Sequence, residues 1–160
     1  MKKILISACL LGENVKYSGG NNQIQHSFLE ALQGQDVLVP CCPEREGGLT
    51  TPRSPAEIEE GFSGADVLAR RARIFTNQGE DVTDAFLKGT YAVVHVDKEI
   101  CMAILKAGSP SCGNKQIYDG THGGIKKEGE GVCAALLRAQ GIAVFNEYEL
   151  EQAQIFWENL

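Results

Sequence analysis

Cys9, Cys42 and Cys112 stand far apart in the chain, each in a short Gly/Pro/Ser setting: Ala8-Cys9-Leu10-Leu11-Gly12, Cys42-Pro43-Glu44 and Ser109-Pro110-Ser111-Cys112-Gly113. Each lies just beyond a short apolar run. Three thiolates brought to one point make a soft metal site with one ligand missing. The missing ligand matters, because a substrate can take its place. Spacing alone does not demand a metal. Zinc sites and ferredoxin-type clusters draw ligands from close pairs or runs such as Cys-x-x-Cys, and the chain has none. Buried or reactive thiols therefore stand beside the metal reading. Of the six cysteines, Cys101 lies in an apolar strand-like run and Cys133 in an Ala/Leu helix, and both read as core. Cys41 is open. In a continuing strand its side chain and that of Cys42 point to opposite faces.

If the three thiolates held an iron–sulfur cubane, one iron would lack a protein ligand. Such an iron acts as a Lewis acid without changing oxidation state, and it favours sulfur as a guest. Glu44, two residues after Cys42, is placed to direct a water or move a proton, although a lone Glu is more often a solvated loop carboxylate. Ser109 and Ser111 flank Pro110, where their hydroxyls can bond a substrate heteroatom or simply shape a turn. Gly47-Gly48 allows close backbone approach, and the segment ends in Arg53, a cation for a phosphate or carboxylate or a structural partner for Glu57. Gly129-Glu130-Gly131 opens a helix at Val132 and reads as an anion site through backbone N–H groups. It lacks the full dinucleotide spacing. His26 and His95 read as structural or exposed, and His122 sits in a Gly-rich loop.

The elements that must position these groups follow from periodicity. Strands are expected at Lys3 to Ala8, Val37 to Val39, Ala72 to Thr76, Met102 to Leu105 and Ile142 to Phe145. Helices are expected at Ile24 to Leu32, from Thr83 past Gly89 to Val94, within Gly129 to Gln140, and from Glu149 to Trp157. The segment after Cys42 reads as a long functional loop, and Ile117 to Gly124 as a turn followed by a loop. Strands alternating with helices point to an α/β chain: a single-domain, Rossmann-like three-layer fold with a mostly parallel sheet over residues 1–160. In such sheets ligands collect at the carboxyl ends of the strands. Convergence of the three cysteines is therefore an expectation of the fold class.

The chain has 160 residues, is 43% hydrophobic and carries a formal net charge of −6. That balance argues against a large nucleic-acid footprint but not against a small ligand held locally. No apolar stretch approaches a membrane span. The start, with Lys2-Lys3 before a short apolar run, reads as a first strand rather than a signal peptide. A cytoplasmic protein is expected, without structural disulfides and without a fused partner domain.

Taken together, Cys9-Leu10-Leu11-Gly12, Lys16-Tyr17-Ser18-Gly19, Cys42-Pro43-Glu44 to Gly47-Gly48-Leu49 and Pro52-Arg53 resemble the first half of a known family. Ser109-Pro110-Ser111-Cys112-Gly113, Ile117-Tyr118-Asp119-Gly120-Thr121 and Gly129-Glu130-Gly131-Val132 with Ala134 to Leu137 resemble its second half. The family is domain-of-unknown-function family five-two-three, which includes the thiouracil desulfurases. The resemblance runs from near Met1 to about Glu147. It implies a 4Fe-4S cluster held by Cys9, Cys42 and Cys112, with the open iron taking the substrate's sulfur. It implies Glu44 as the acid/base that activates water and Ser109, preferred over Ser111, as an assisting group. Ser111, Arg53, Gly48 and Tyr17 would border the substrate. The implied reaction is a non-redox, hydrolytic desulfuration of a thiolated pyrimidine, such as 2-thiouracil or a 4-thiouridine derivative, as base or nucleotide. Lys16, Ser18, His122 and Cys133 depart from the family pattern, where Arg, Asp, an aromatic and a small polar residue are usual.

Two other function classes compete with this expectation. One is a zinc hydrolase using the same three thiolates and a bound water. The other is a non-enzymatic sulfur or cluster carrier. A redox pair of Cys41 and Cys42 ranks behind both, because adjacent cysteines form a strained disulfide.

Overall fold

The computed structural model describes residues 1–160. Four strands form its central sheet: β1 (Lys3–Ser7), β2 (Leu38–Cys41), β5 (Ile100–Ile104) and β8 (Ala143–Phe145). Their order is β2-β1-β5-β8, and every neighbouring pair is parallel. The chain moves from β1 to one side for β2 and returns to the other side for β5. The direction of winding therefore reverses between β1 and β5, which places the ligand crevice at their carboxyl ends. β2 is an edge strand, and this explains how it accommodates Pro40 opposite Ile6.

Both sheet faces are covered, as a parallel sheet requires. Ile4, Ile6, Met102 and Ile104 point to one face and pack with α1 (Ser27–Leu32) and α6 (Leu150–Glu158). Leu5, Ala103 and Leu105 point to the other face and pack with α4 (Thr83–Val94) and α5 (Val132–Ala139). The result is the expected α/β three-layer, Rossmann-like arrangement. No helix is long and apolar enough to cross a membrane.

A third cluster centred on Ile58, Ile74, Phe86 and Ile117 supports a smaller unit beside the sheet. It contains the antiparallel pair β3 (Ala56–Ile58) with β4 (Ile74–Thr76), the helix α3 (Gly64–Leu68), and the hairpin β6 (Gln116–Tyr118) with β7 (Lys126–Glu128). The strand expected at Ala72 to Thr76 thus forms, but outside the parallel sheet. The segment after Cys42 is not wholly loop either, since α2 (Pro43–Glu46) begins at once. The helix expected from Ile24 starts only at Ser27, because the His26 side chain accepts the Phe28 N–H and caps it there. Cys133 is fully buried as expected, whereas Cys101 is only half-buried at the start of β5.

Candidate functional site

Three strand ends supply the three cysteines. β1 runs into a 3-10 turn at Ala8–Leu11 that carries Cys9, and Gly12 closes the turn at φ +94°. Cys42 follows β2 directly and is the N-cap residue of α2. Cys112 sits in the turn after β5, where the Gly113 N–H donates to the Ser109 carbonyl. All three line one cavity of about 480 Å³ at the carboxyl edge of the sheet. Burial pushes each thiol above the ordinary cysteine range, most strongly Cys112. A bound cationic cofactor would displace these protons.

Cys41 also lines the cavity, as a fourth thiol. It packs with Leu5, Cys112 and Cys133, whereas Cys42 packs toward the α1 face, so the two adjacent side chains do diverge. All six cysteines are free.

Glu44 stands between two partners. Its Oε1 accepts from Arg53 Nε at 3.1 Å, and its Oε2 accepts from Ser111 Oγ at 3.0 Å. The remaining Arg53 donors reach Thr50 and Thr51 through Nη1 and the Val15 carbonyl through Nη2. Arg53 therefore joins the loop after β1 to the loop after α2 and fixes Glu44 between them. Of the alternatives the sequence offered for Arg53, it holds a carboxylate, that of Glu44, while Glu57 is engaged elsewhere.

The serines form one directed chain. Ser109 Oγ accepts the backbone N–H groups of Ser111 and Cys112, each at 3.1 Å. Its own proton is then free for Ser111 Oγ, 2.8 Å away. Ser111, in turn, donates to Glu44. Polarity thus runs from Ser109 through Ser111 to the carboxylate, and Ser111 is the direct contact.

Glycines allow this geometry by main-chain contact. A Cβ on Gly89 of α4 would lie 1.6 Å from the Pro43 carbonyl oxygen, and one on Gly47 would lie 1.9 Å from that of Ala85. α2, with Glu44 on it, therefore rests on α4 backbone to backbone. A Cβ on Gly131 would lie 2.5 Å from the Ser111 carbonyl carbon. The N–H groups at the start of α5 are consumed there: Val132 donates to the Pro110 carbonyl and Cys133 to that of Ser111. This corrects the anion site expected at Gly129-Glu130-Gly131. The helix end holds the cysteine turn instead.

The cavity's chemistry can be tested against a cofactor. No three Cys, His, Asp or Glu side chains gather closely enough to enclose a single metal ion. The three thiols instead border a shared volume, which suits a group larger than a single ion. The soft, buried donor set suits iron and sulfur.

The family model for 2-thiouracil desulfurase matches residues 4–149. The chain belongs to the 2-thiouracil desulfurase family. Among its relatives is the uncharacterized protein YbbK of Bacillus subtilis (strain 168), 44% identical over 149 residues, which span 92% of this chain and 97% of that protein. A solved structure with TM-score 0.89 and 38% identity, covering 100% of both chains, is the [4Fe-4S]-dependent thiouracil desulfidase TudS. Membership in this enzyme family agrees with the resemblance stated above.

In this family member, the cavity brings together the expected Cys9, Cys42, Cys112, Glu44, Ser109, Ser111, Arg53 and Tyr17, the last half-exposed at the rim. Gly48 lies outside the lining, with open space around it at φ +93°. Among the lining residues to which the sequence assigned no place in the site are Ser7, Lys106 and Glu57. Ser7 Oγ accepts the Lys106 N–H at 2.9 Å, and Lys106 Nζ pairs with Glu147 at 2.8 Å. Glu57 faces the cavity from β3; the sequence offered it only as a structural partner for Arg53.

Proposed function

We propose that this chain is a cytoplasmic, [4Fe-4S]-dependent desulfidase that hydrolyses the C–S bond of a thiolated pyrimidine, such as 2-thiouracil or a 4-thiouridine derivative. The observation that carries the reading is the meeting of Cys9, Cys42 and Cys112 with a positioned carboxylate, Glu44, in one cavity. Six free thiols suit the reducing cytoplasm.

Cys9, Cys42 and Cys112 would hold the cluster. When bound through three cysteines, such a cluster supplies one iron open to the thione sulfur, a thiophilic Lewis acid that needs no electron transfer. Glu44 is the base that takes a proton from water as the oxygen attacks the thione carbon. Arg53 holds Glu44 Oε1, so Oε2 is the basic atom facing Ser111. Ser111 and Ser109 keep a hydrogen-bonded proton store beside it, with Ser109 acting through Ser111. The thione carbon gains the water oxygen and loses sulfur, giving the oxo base and hydrosulfide, with no net oxidation.

The test is anaerobic reconstitution followed by iron and acid-labile sulfide analysis, with loss of thione absorbance as the assay. Turnover of 2-thiouracil or 4-thiouridine by the iron- and sulfide-containing protein is expected. Glu44→Gln should keep the iron and lose about a hundredfold or more in turnover. Zinc without sulfide would overturn the cluster, and a loaded but inert protein would make the chain a carrier.

A further inference from the structure

Glu57 is the one carboxylate besides Glu44 in the cavity lining, and nothing in the reaction above employs it. Its side chain is only 11% exposed. The two carboxylate oxygens differ. Oε1 accepts two backbone donors, the Gly120 N–H at 2.9 Å and the His122 N–H at 3.2 Å, and so clamps the 119–124 loop to β3. Oε2 has only His122 Nδ1 at 3.5 Å, too long for a strong bond. One oxygen is thus fixed by the protein while the other keeps acceptor capacity beside the cavity. Tyr118 and Gly124, from the ends of the same hairpin loop, border the cavity with it.

The structure assigns Glu57 a recognition role, and we infer that its Oε2 accepts the N3–H of the thiolated pyrimidine. This rests on the desulfidase reading and names what the site recognises within it. The ring chemistry selects N3. That nitrogen lies between C2 and C4, so it neighbours the reacting carbon whether sulfur is at position 2 or 4. It also keeps its hydrogen when N1 carries a sugar. A carboxylate only accepts, so it suits an N–H and rejects a ring nitrogen that carries a methyl group. The cationic groups in the lining, Lys16, Arg53 and Lys106, cannot serve, because they only donate, and Arg53 and Lys106 are already paired with Glu44 and Glu147. Glu57 touches substrate here through a hydrogen bond that positions the thione, while Glu44 performs the proton transfer.

The experiment compares 2-thiouracil with its 1-methyl and 3-methyl derivatives on the reconstituted enzyme, wild type and Glu57→Gln. In the wild type the 3-methyl compound should fall at least tenfold in kcat/KM below the 1-methyl compound. Glu57→Gln keeps an oxygen for the Gly120 and His122 N–H groups but turns an amide toward the ring. It should raise KM for 2-thiouracil at least tenfold, weaken inhibition by uracil in parallel, and erase the 1-methyl/3-methyl difference. Hydrogen exchange of the 119–124 amides reads the clamp separately and should stay as in the wild type. Equal rates for both methyl derivatives in the wild type, or undiminished discrimination in the variant, would overturn the assignment. Failure of the wild type to turn over 2-thiouracil or 4-thiouridine would instead count against the desulfidase reading itself.

Discussion

The cavity has two unlike walls. The thiol wall is made of strand ends and helix ends held by main chain against main chain. Cys42 and Glu44 ride on α2, which rests on α4 through Gly47 and Gly89, and Cys112 rides on a turn docked to α5 through Gly131. The opposite wall, from β3 and the β6–β7 loop, adds side-chain clamps to its main-chain contacts: Gly120 lies against the backbone of Ile58, Glu59 and Glu60, and Glu57 holds the Gly120 and His122 N–H groups. The difference teaches a division of labour. Backbone contacts leave no slack, which suits groups that must meet a rigid cofactor. Side-chain clamps on a surface loop can be altered without disturbing the core, which suits selection among related substrates.

This contrast can be broken from the rigid side first. Cys9→Ser, Cys42→Ser and Cys112→Ser should each abolish most iron and sulfide binding, whereas Cys101→Ser and Cys133→Ser should retain it, as read by metal analysis. Gly131→Ala inserts a methyl group 2.5 Å from the Ser111 carbonyl carbon. It should cost about 1–3 kcal/mol in chemical denaturation and lower iron content, although it removes no ligand. Arg53→Lys keeps the charge but loses the planar fork that reaches Glu44 and Val15 together. Iron content should hold while kcat falls roughly tenfold, the loss of one charge-assisted bond. On the opposite wall His122→Phe should have the smallest effect, within about threefold in KM. The contact Glu57 accepts there comes from the His122 backbone, which the substitution leaves in place.

Much of the thiol wall was legible in the sequence. Apolar runs before Cys9, Cys42 and the Cys112 turn mark strands, and parallel strands end on one side. Glu44 followed from its place beside Cys42. The contact between Ser111 and Glu44 was not legible, because it spans 67 residues and depends on how α2 and α5 each dock on α4. Ser109, preferred from motif position, proved to be the inner member of that chain. The start of α5 looked like an anion site because a Gly-x-Gly pattern cannot show that its N–H groups meet the Pro110 and Ser111 carbonyls. On the opposite wall the turn region from Ile117 to Gly124 was legible, but its short strands were not. Strands of three residues such as Ala56-Glu57-Ile58 and Lys126-Lys127-Glu128 show no period long enough to read, and tertiary packing alone defines them.

The adjacency of β1 and β5 carries one more consequence, in the order of events during maturation. Cys9 and Cys112 meet only after the chain has closed a contact across most of its length, with the Lys106 N–H reaching Ser7 Oγ at a separation of 99 residues. Such non-local parallel pairing is slow to form. The nascent polypeptide therefore offers no three-thiol cradle, and the proposed cluster, handed over early, would have nowhere to settle. Insertion of the proposed cluster would await closure of the sheet, and once made it would tie three distant stretches of chain together against reopening. Iron-loaded molecules in a preparation would then all have completed that closure.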